Sequence, residues 1–218
     1  MPRQIETDGI ILDRELAGER HVRLTVLSPS LGLIIVMARE SRPSGTVSSK
    51  NKTQRGGGQK PDIFDLASMR IQIPEDSGTH PRVYFLAEYK VLRRHAGLGK
   101  KYSALEAAAA LSKLITRNAA HFETCAPVFE LCAKAFDALD VGANPEAVRL
   151  KAAYLLARAE GFPAREQWMA ELSKDDQALA KEVINRPANE AKCDAKLLMR
   201  LRQNLERWLA GHTDLELE

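Results

Sequence analysis

Between Gly9 and Arg42 the apolar positions fall into three short runs. Ile10, Ile11 and Leu12 form the first, and Ala17 and Gly18 interrupt it. Val22, Leu24 and Val26 then alternate with His21, Arg23 and Thr25, the period-two pattern of a strand with one buried face. Ser28, Pro29, Ser30 and Gly32 predict a turn, because proline presets φ and glycine accepts a positive one. Leu33 to Ala38 is continuously apolar, as expected of a strand buried on both faces. Alternation returns at Met69 to Ile73, and Pro74, Asp76, Ser77 and Gly78 supply another turn. A fifth strand is expected from Val83 to Leu92, with Val83, Phe85, Ala87, Tyr89 and Val91 on one face.

Beyond Gly99 the period changes to that of helices. Residues 101–119 carry Leu105, Ala108, Leu111, Leu114 and Ile115 at helical spacing. Residues 122–140 place Cys125, Val128, Phe129, Cys132, Phe136 and Leu139 on one stripe, and Gly142 ends that helix. Asn144 followed by Pro145 reads as a cap and a first-turn proline, opening a third helix to about Glu160, which Gly161 and Pro163 stop. Residues 166–185 predict one or two weaker helices. Residues 194–210 predict a strongly amphipathic last helix, with Asp194 as its cap.

The expected fold class is therefore α+β and multidomain. Five short strands without intervening helices suit a small barrel, of which the five-stranded oligonucleotide-binding (OB) fold is the common case; an SH3-like barrel satisfies the same count. The expected division is an OB-fold nucleic-acid-binding domain over 1–92 and an all-α helical domain over 93–218.

Charge sharpens this picture. The net charge is only +3, but residues 1–100 hold 16 Lys and Arg against 11 Asp and Glu. Within 39–60 six bases (Arg39, Arg42, Lys50, Lys52, Arg55 and Lys60) meet one acid, Glu40. Residues 43–62 contain a single aliphatic residue, Val47, and read as a long polar loop. Such asymmetry points to an anionic partner for the N-terminal half, with a merely solvated loop as the alternative.

Motifs for catalysis are lacking. Gly56-Gly57-Gly58 precedes neither Lys-Ser/Thr nor a helix, and there is no GxSxG, HExxH or paired CxxC. His121, Cys125 and Cys132 share a helix face, but the two cysteines are expected as small core hydrophobes, so no metal and no cofactor is expected. Three cysteines without a tight pair suit a reducing compartment. The polar N-terminus has no leader-like apolar segment and no apolar run approaches ~18 residues, so a cytoplasmic protein without a membrane span is expected. The candidate phosphate contacts are Arg20, Arg23, Arg39, Arg42, Lys50, Lys52, Arg55 and Lys60. Tyr84, Phe85 and Tyr89 would offer stacking faces if exposed, although the barrel core or a contact between domains is the preferred place for Phe85 and Tyr89.

The order of several short motifs resembles the RecO family of bacterial recombination mediators. The matching residues are Gly9 to Leu12, Gly18-Glu19, Leu24-Thr25, Leu31-Gly32 and Ala38-Arg39-Glu40-Ser41-Arg42, across roughly the first 90 residues. In the helical half, Leu155-Leu156 ahead of Gly161-Phe162-Pro163 is similar to the family's leucine-rich helix ending in Gly-aromatic. Glu40 stands where the family usually has glycine, and the cysteine cluster that holds zinc in some members is absent. The resemblance implies a non-enzymatic, nucleoid-associated DNA-repair protein that binds single- and double-stranded DNA and anneals complementary strands. It further implies action with RecR to load recombinase onto DNA coated by single-strand-binding protein, whose acidic, apolar C-terminal tail docks on the helical domain. Arg149, Lys151, Tyr154 and Leu155 are the residues here that the resemblance nominates for that tail. A protein-only scaffold without DNA affinity is the alternative.

Overall fold

The first strand, β1 (Gln4–Leu16), is much longer than the apolar run Ile10, Ile11 and Leu12 suggests. In the computed structural model of this chain, residues 3–39, 60–74, 83–190 and 193–217 are described. β1 bends, pairing over Gln4 to Ile10 with β4 (Leu66–Gln72) and over Ile10 to Leu16 with β2 (His21–Ser28). A bulge between Ile11 and Asp13 leaves Leu12 as the extra residue and interrupts the alternation. Ile10, Ile11 and Leu12 are consequently all buried.

β2 runs antiparallel to β3 (Gly32–Arg39), which pairs in parallel with β5 (Tyr84–Arg93) through Val36–Tyr84 and Met37–Phe85. β5 returns antiparallel along β4, so the five strands close in the order β1-β2-β3-β5-β4. Ile11, Val22, Leu24, Val26, Val36, Ala67, Met69 and Ile71 fill the interior. Gly9 faces Val26 closely; a Cβ there would lie 2.4 Å from Val26 Cγ1. Polar residues also go inside: Thr7 and Ser28 are buried and share a hydrogen bond of 2.7 Å between their hydroxyls.

A second bulge, between Arg70 and Ile71 on β4, makes Ala87 the extra residue of β5. It reverses the facing of the strand. Tyr84 and Leu86 turn inward before it and Tyr89 after it, so the expected single face running from Val83 to Val91 does not form. Phe85 is 46% exposed, so of its two expected places, the barrel core or a contact between domains, the first does not hold.

This ring belongs to one compact unit, Met1–Arg94; the second, His95–Glu218, is helical. Its elements are α1 (Tyr102–Asn118), α2 (Cys125–Asp140), α3 (Pro145–Ala159), α4 (Trp168–Glu171), α5 (Lys174–Asn185) and α6 (Ala195–His212). The caps sit where the sequence suggests. Asn144 Oδ1 accepts from Glu146 N at 3.0 Å, and Asp194 Oδ1 accepts from Lys196 N at 2.7 Å. Gly142 and Gly161, both at positive φ, close α2 and α3 as only glycine does without strain. α3 is central. It packs on α1, α2, α5 and α6, and its apolar residues from Ala147 to Ala157 are buried on most of its circumference, between the charged Glu146, Arg149, Lys151 and Arg158. Cys132 is fully buried in this unit. Among the described residues no helix is long and apolar enough to cross a membrane.

Candidate nucleic-acid interface

The strand register decides which charged groups share a surface. On β2, Val22, Leu24 and Val26 point into the ring, so His21, Arg23 and Thr25 point away from it. On β3, Ile34, Val36 and Ala38 point inward, and Ile35, Met37 and Arg39 outward. Cross-strand partners lie on the same face, and the pairs are His21–Arg39 and Arg23–Met37. The register continues from Met37 to Phe85 on β5. One outer row therefore reads Arg23, Met37, Phe85, with His21 and Arg39 directly beside it.

Arg20 is exposed in the β1–β2 turn, next to this face. Among the described residues neither Arg20 nor Arg39 has a salt-bridge partner. Arg23 Nη1 lies 3.4 Å from Glu15 Oε2, with both side chains about half exposed, so the pair is a weak, salt-screened one. Another outer face, on β1, β4 and β5, differs. There Arg70 is held between Glu6 at 2.8 Å and Glu88 at 2.9 Å, and its positive charge is already matched. Among the described residues, Arg39 on β3 and Arg20 in the β1–β2 turn are thus cations without a salt-bridge partner beside this face, as Lys90 is on the β4–β5 face.

Lys60 stands at the end of the basic segment, just before a tight turn. Asp65 in that turn is 1% exposed and gathers four donors. Tyr89 Oη donates at 2.7 Å, Arg94 Nε at 3.0 Å, Arg94 Nη2 at 2.8 Å and the Asp62 amide at 3.1 Å. Arg94 Nη2 also donates to the Lys60 carbonyl at 2.9 Å, tying Lys60 to the ring. Burial, reinforced by the Asp65 carboxylate, pushes the Tyr89 phenol far above the ordinary tyrosine range. Tyr89 is thus half-buried with its hydroxyl engaged, and Tyr84 lies inside, so neither presents a free ring face. Arg42, Lys50, Lys52 and Arg55 lie outside the described residues.

The four nominated residues of α3 separate. Lys151 and Leu155 line one apolar groove of about 450 Å³, together with Leu131, Lys134, Val141 and Pro187. Lys151 Nζ donates to the Arg186 carbonyl at 2.5 Å, and burial lowers its pKa from the ordinary lysine value. Arg149 lies on a different face, 3.6 Å from Glu206. Tyr154 is only 3% exposed and packs near Trp168 in the core, so it has no surface for a partner. Helix geometry explains the split. Lys151 and Leu155 are four residues apart and share a face, whereas Arg149 lies about 200° around the helix from Lys151. Lys134 was missed because it belongs to α2, and only packing brings it to the groove.

No family model matches the sequence, and no curated protein matches it.

Proposed function

We propose that this chain is a non-catalytic DNA-repair and recombination mediator of the RecO kind. It holds single- and double-stranded DNA on an OB-type barrel and promotes annealing of complementary strands. With RecR, it helps load recombinase onto DNA coated by single-strand-binding protein. The observation that carries this reading is the outward placement of Arg23, Arg39 and His21 on one face of β2 and β3, with Arg20 exposed in the adjoining β1–β2 turn. The closed strand order with a parallel β3–β5 pair supports the OB-type assignment, whose β2–β3 face is the usual place for oligonucleotides. Arg42, Lys50, Lys52, Arg55 and Lys60 are the further phosphate contacts of this reading. Annealing follows when neutralised strands are held side by side.

For the tail of single-strand-binding protein, the groove of Lys151, Leu155 and Lys134 is the better part of the original nomination. Its apolar lining suits buried aliphatic or aromatic residues and Lys134 suits an acidic one, while Lys151 already donates to the Arg186 carbonyl and Asp137 also lines the groove.

The test is fluorescence anisotropy with a labelled single-stranded oligonucleotide across a salt series. Wild-type protein is expected to bind with a steep negative slope of log affinity against log salt. Arg23→Ala with Arg39→Ala should flatten that slope by about 1 to 1.5 units, at about 0.7 per phosphate contact on a single strand. Absence of binding at any salt would instead favour a protein-only scaffold, for which the apolar groove is the feature that speaks.

A further inference from the structure

Phe85 is an aromatic ring on the outside of a strand, about half exposed. Its 46% exposure is a consequence of register: the bulge at Ala87 turns Phe85 outward while Tyr84 and Leu86 stay inside. Its neighbour across the parallel pair is Met37, which is only partly buried. Met37 in turn has Arg23 opposite it on β2 and Arg39 two residues further along β3 on the same face. Adjacent strands are about 4.8 Å apart, so Phe85 lies roughly 10 Å from the Arg23 backbone, within the span of an arginine side chain and one nucleotide.

We infer that Phe85 is the base-stacking platform of this surface and confers preference for single-stranded over double-stranded DNA. The inference rests on the DNA-binding reading above and adds a residue and a selectivity to it. An aromatic face bonds to any unpaired base by stacking, while guanidinium groups beside it take the phosphates. In a duplex the bases are stacked on one another and their faces are closed, so a ring on a convex barrel surface gains nothing from them. Met37, polarisable and flexible, would support the ring and fill gaps beneath the base. The arginines would then serve both forms of DNA, and Phe85 only one.

The experiment uses the full chain with Phe85→Ala and Phe85→Trp. Because Phe85 is outside the ring, the alanine variant is expected to keep the wild-type circular dichroism. It should bind a dT oligonucleotide roughly 5- to 100-fold more weakly, the loss of one stacked base. Affinity for a duplex and for an abasic oligonucleotide of equal length should not change, nor should the salt slope. The tryptophan variant should keep its affinity, and its exposed indole should be quenched by dT but not by the abasic strand. Unchanged affinity of the alanine variant for dT overturns the inference, as does an equal loss on dT and on the abasic strand. If the double arginine variant weakens binding while Phe85→Ala does not, the DNA-binding reading stands and this inference falls. If wild-type protein binds no DNA, both fall.

Discussion

Replacing Asp65 by alanine removes the group that ties the start of β4 to the end of β5. Asp65 is 1% exposed and accepts four hydrogen bonds, from Tyr89, twice from Arg94, and from the Asp62 amide. The partners do not lose equally. Arg94 is 41% exposed and can turn to water, so its share is of the order of a surface ion pair, about 0–1 kcal/mol. The Tyr89 hydroxyl is half-buried and loses its acceptor, a penalty of about 1–3 kcal/mol. Asp65→Ala is therefore expected to destabilise the ring by about 1–4 kcal/mol. Two units of this kind unfold on their own terms, so a single global melt is a poor readout. Amide hydrogen exchange of β4 and β5 measures the ring directly. A double-mutant cycle with Tyr89→Phe isolates the main term, since the cost of Asp65→Ala should shrink by about 1–3 kcal/mol when the hydroxyl is already gone. A loss below 1 kcal/mol, or full additivity in the cycle, would refute the reasoning.

Three further outcomes follow from particular contacts. Tyr89 keeps its proton in the folded ring at a pH where the unfolded chain releases it, so its stabilising contribution is complete below about pH 10 and declines as pH rises further; Tyr89→Phe should flatten that alkaline decline in exchange-derived stability. Gly9→Ala would bring a Cβ to 2.4 Å from Val26 Cγ1 and should cost the ring about 1–3 kcal/mol by overpacking, measured by exchange in β1 and β2. In the helical unit, Arg202 is 7% exposed and bonds Glu146 at 2.6 Å and Glu206 at 2.5 Å. Arg202→Ala should destabilise that unit by about 3 kcal/mol, at the low end for a broken buried pair because Arg149 stays beside Glu206; urea unfolding followed by the buried Trp168 and Trp208 reports it.

Those elements that the chain's pattern makes plain are the ones whose burial is simple. β2 was legible because its inward Val22, Leu24 and Val26 alternate with polar residues, whereas β3, expected to be buried on both faces, buries only Ile34, Val36 and Ala38. The first half of β1 was not, since Thr7 and Gly9 occupy interior positions that hydrophobicity cannot mark: one is satisfied by Ser28, the other is small because Val26 is near. Alternation alone puts Phe85 and Tyr89 on one face; a one-residue bulge separates them, and a bulge leaves no residue-type signature at Ala87. In α3 the signal was present but unused. A rotation of 100° per residue already separates Arg149 from Lys151 and sets Lys151 with Leu155. The caps at Asn144 and Asp194 were readable because they depend on local chemistry alone. Grouping of Arg20, Arg23 and Arg39 needed the register, although alternation around Val22 and Leu24 already turned Arg23 outward.

In the proposed complex DNA lies across the outer face of β2, β3 and β5. Hydrogen exchange of the full chain, with and without a saturating dT oligonucleotide, tests it most directly. Slower exchange should appear in 21–39 and 84–93 and leave the amides of α3 and α6 unchanged. Protection confined to the helical unit, or none anywhere in the ring while the oligonucleotide is bound, would contradict it.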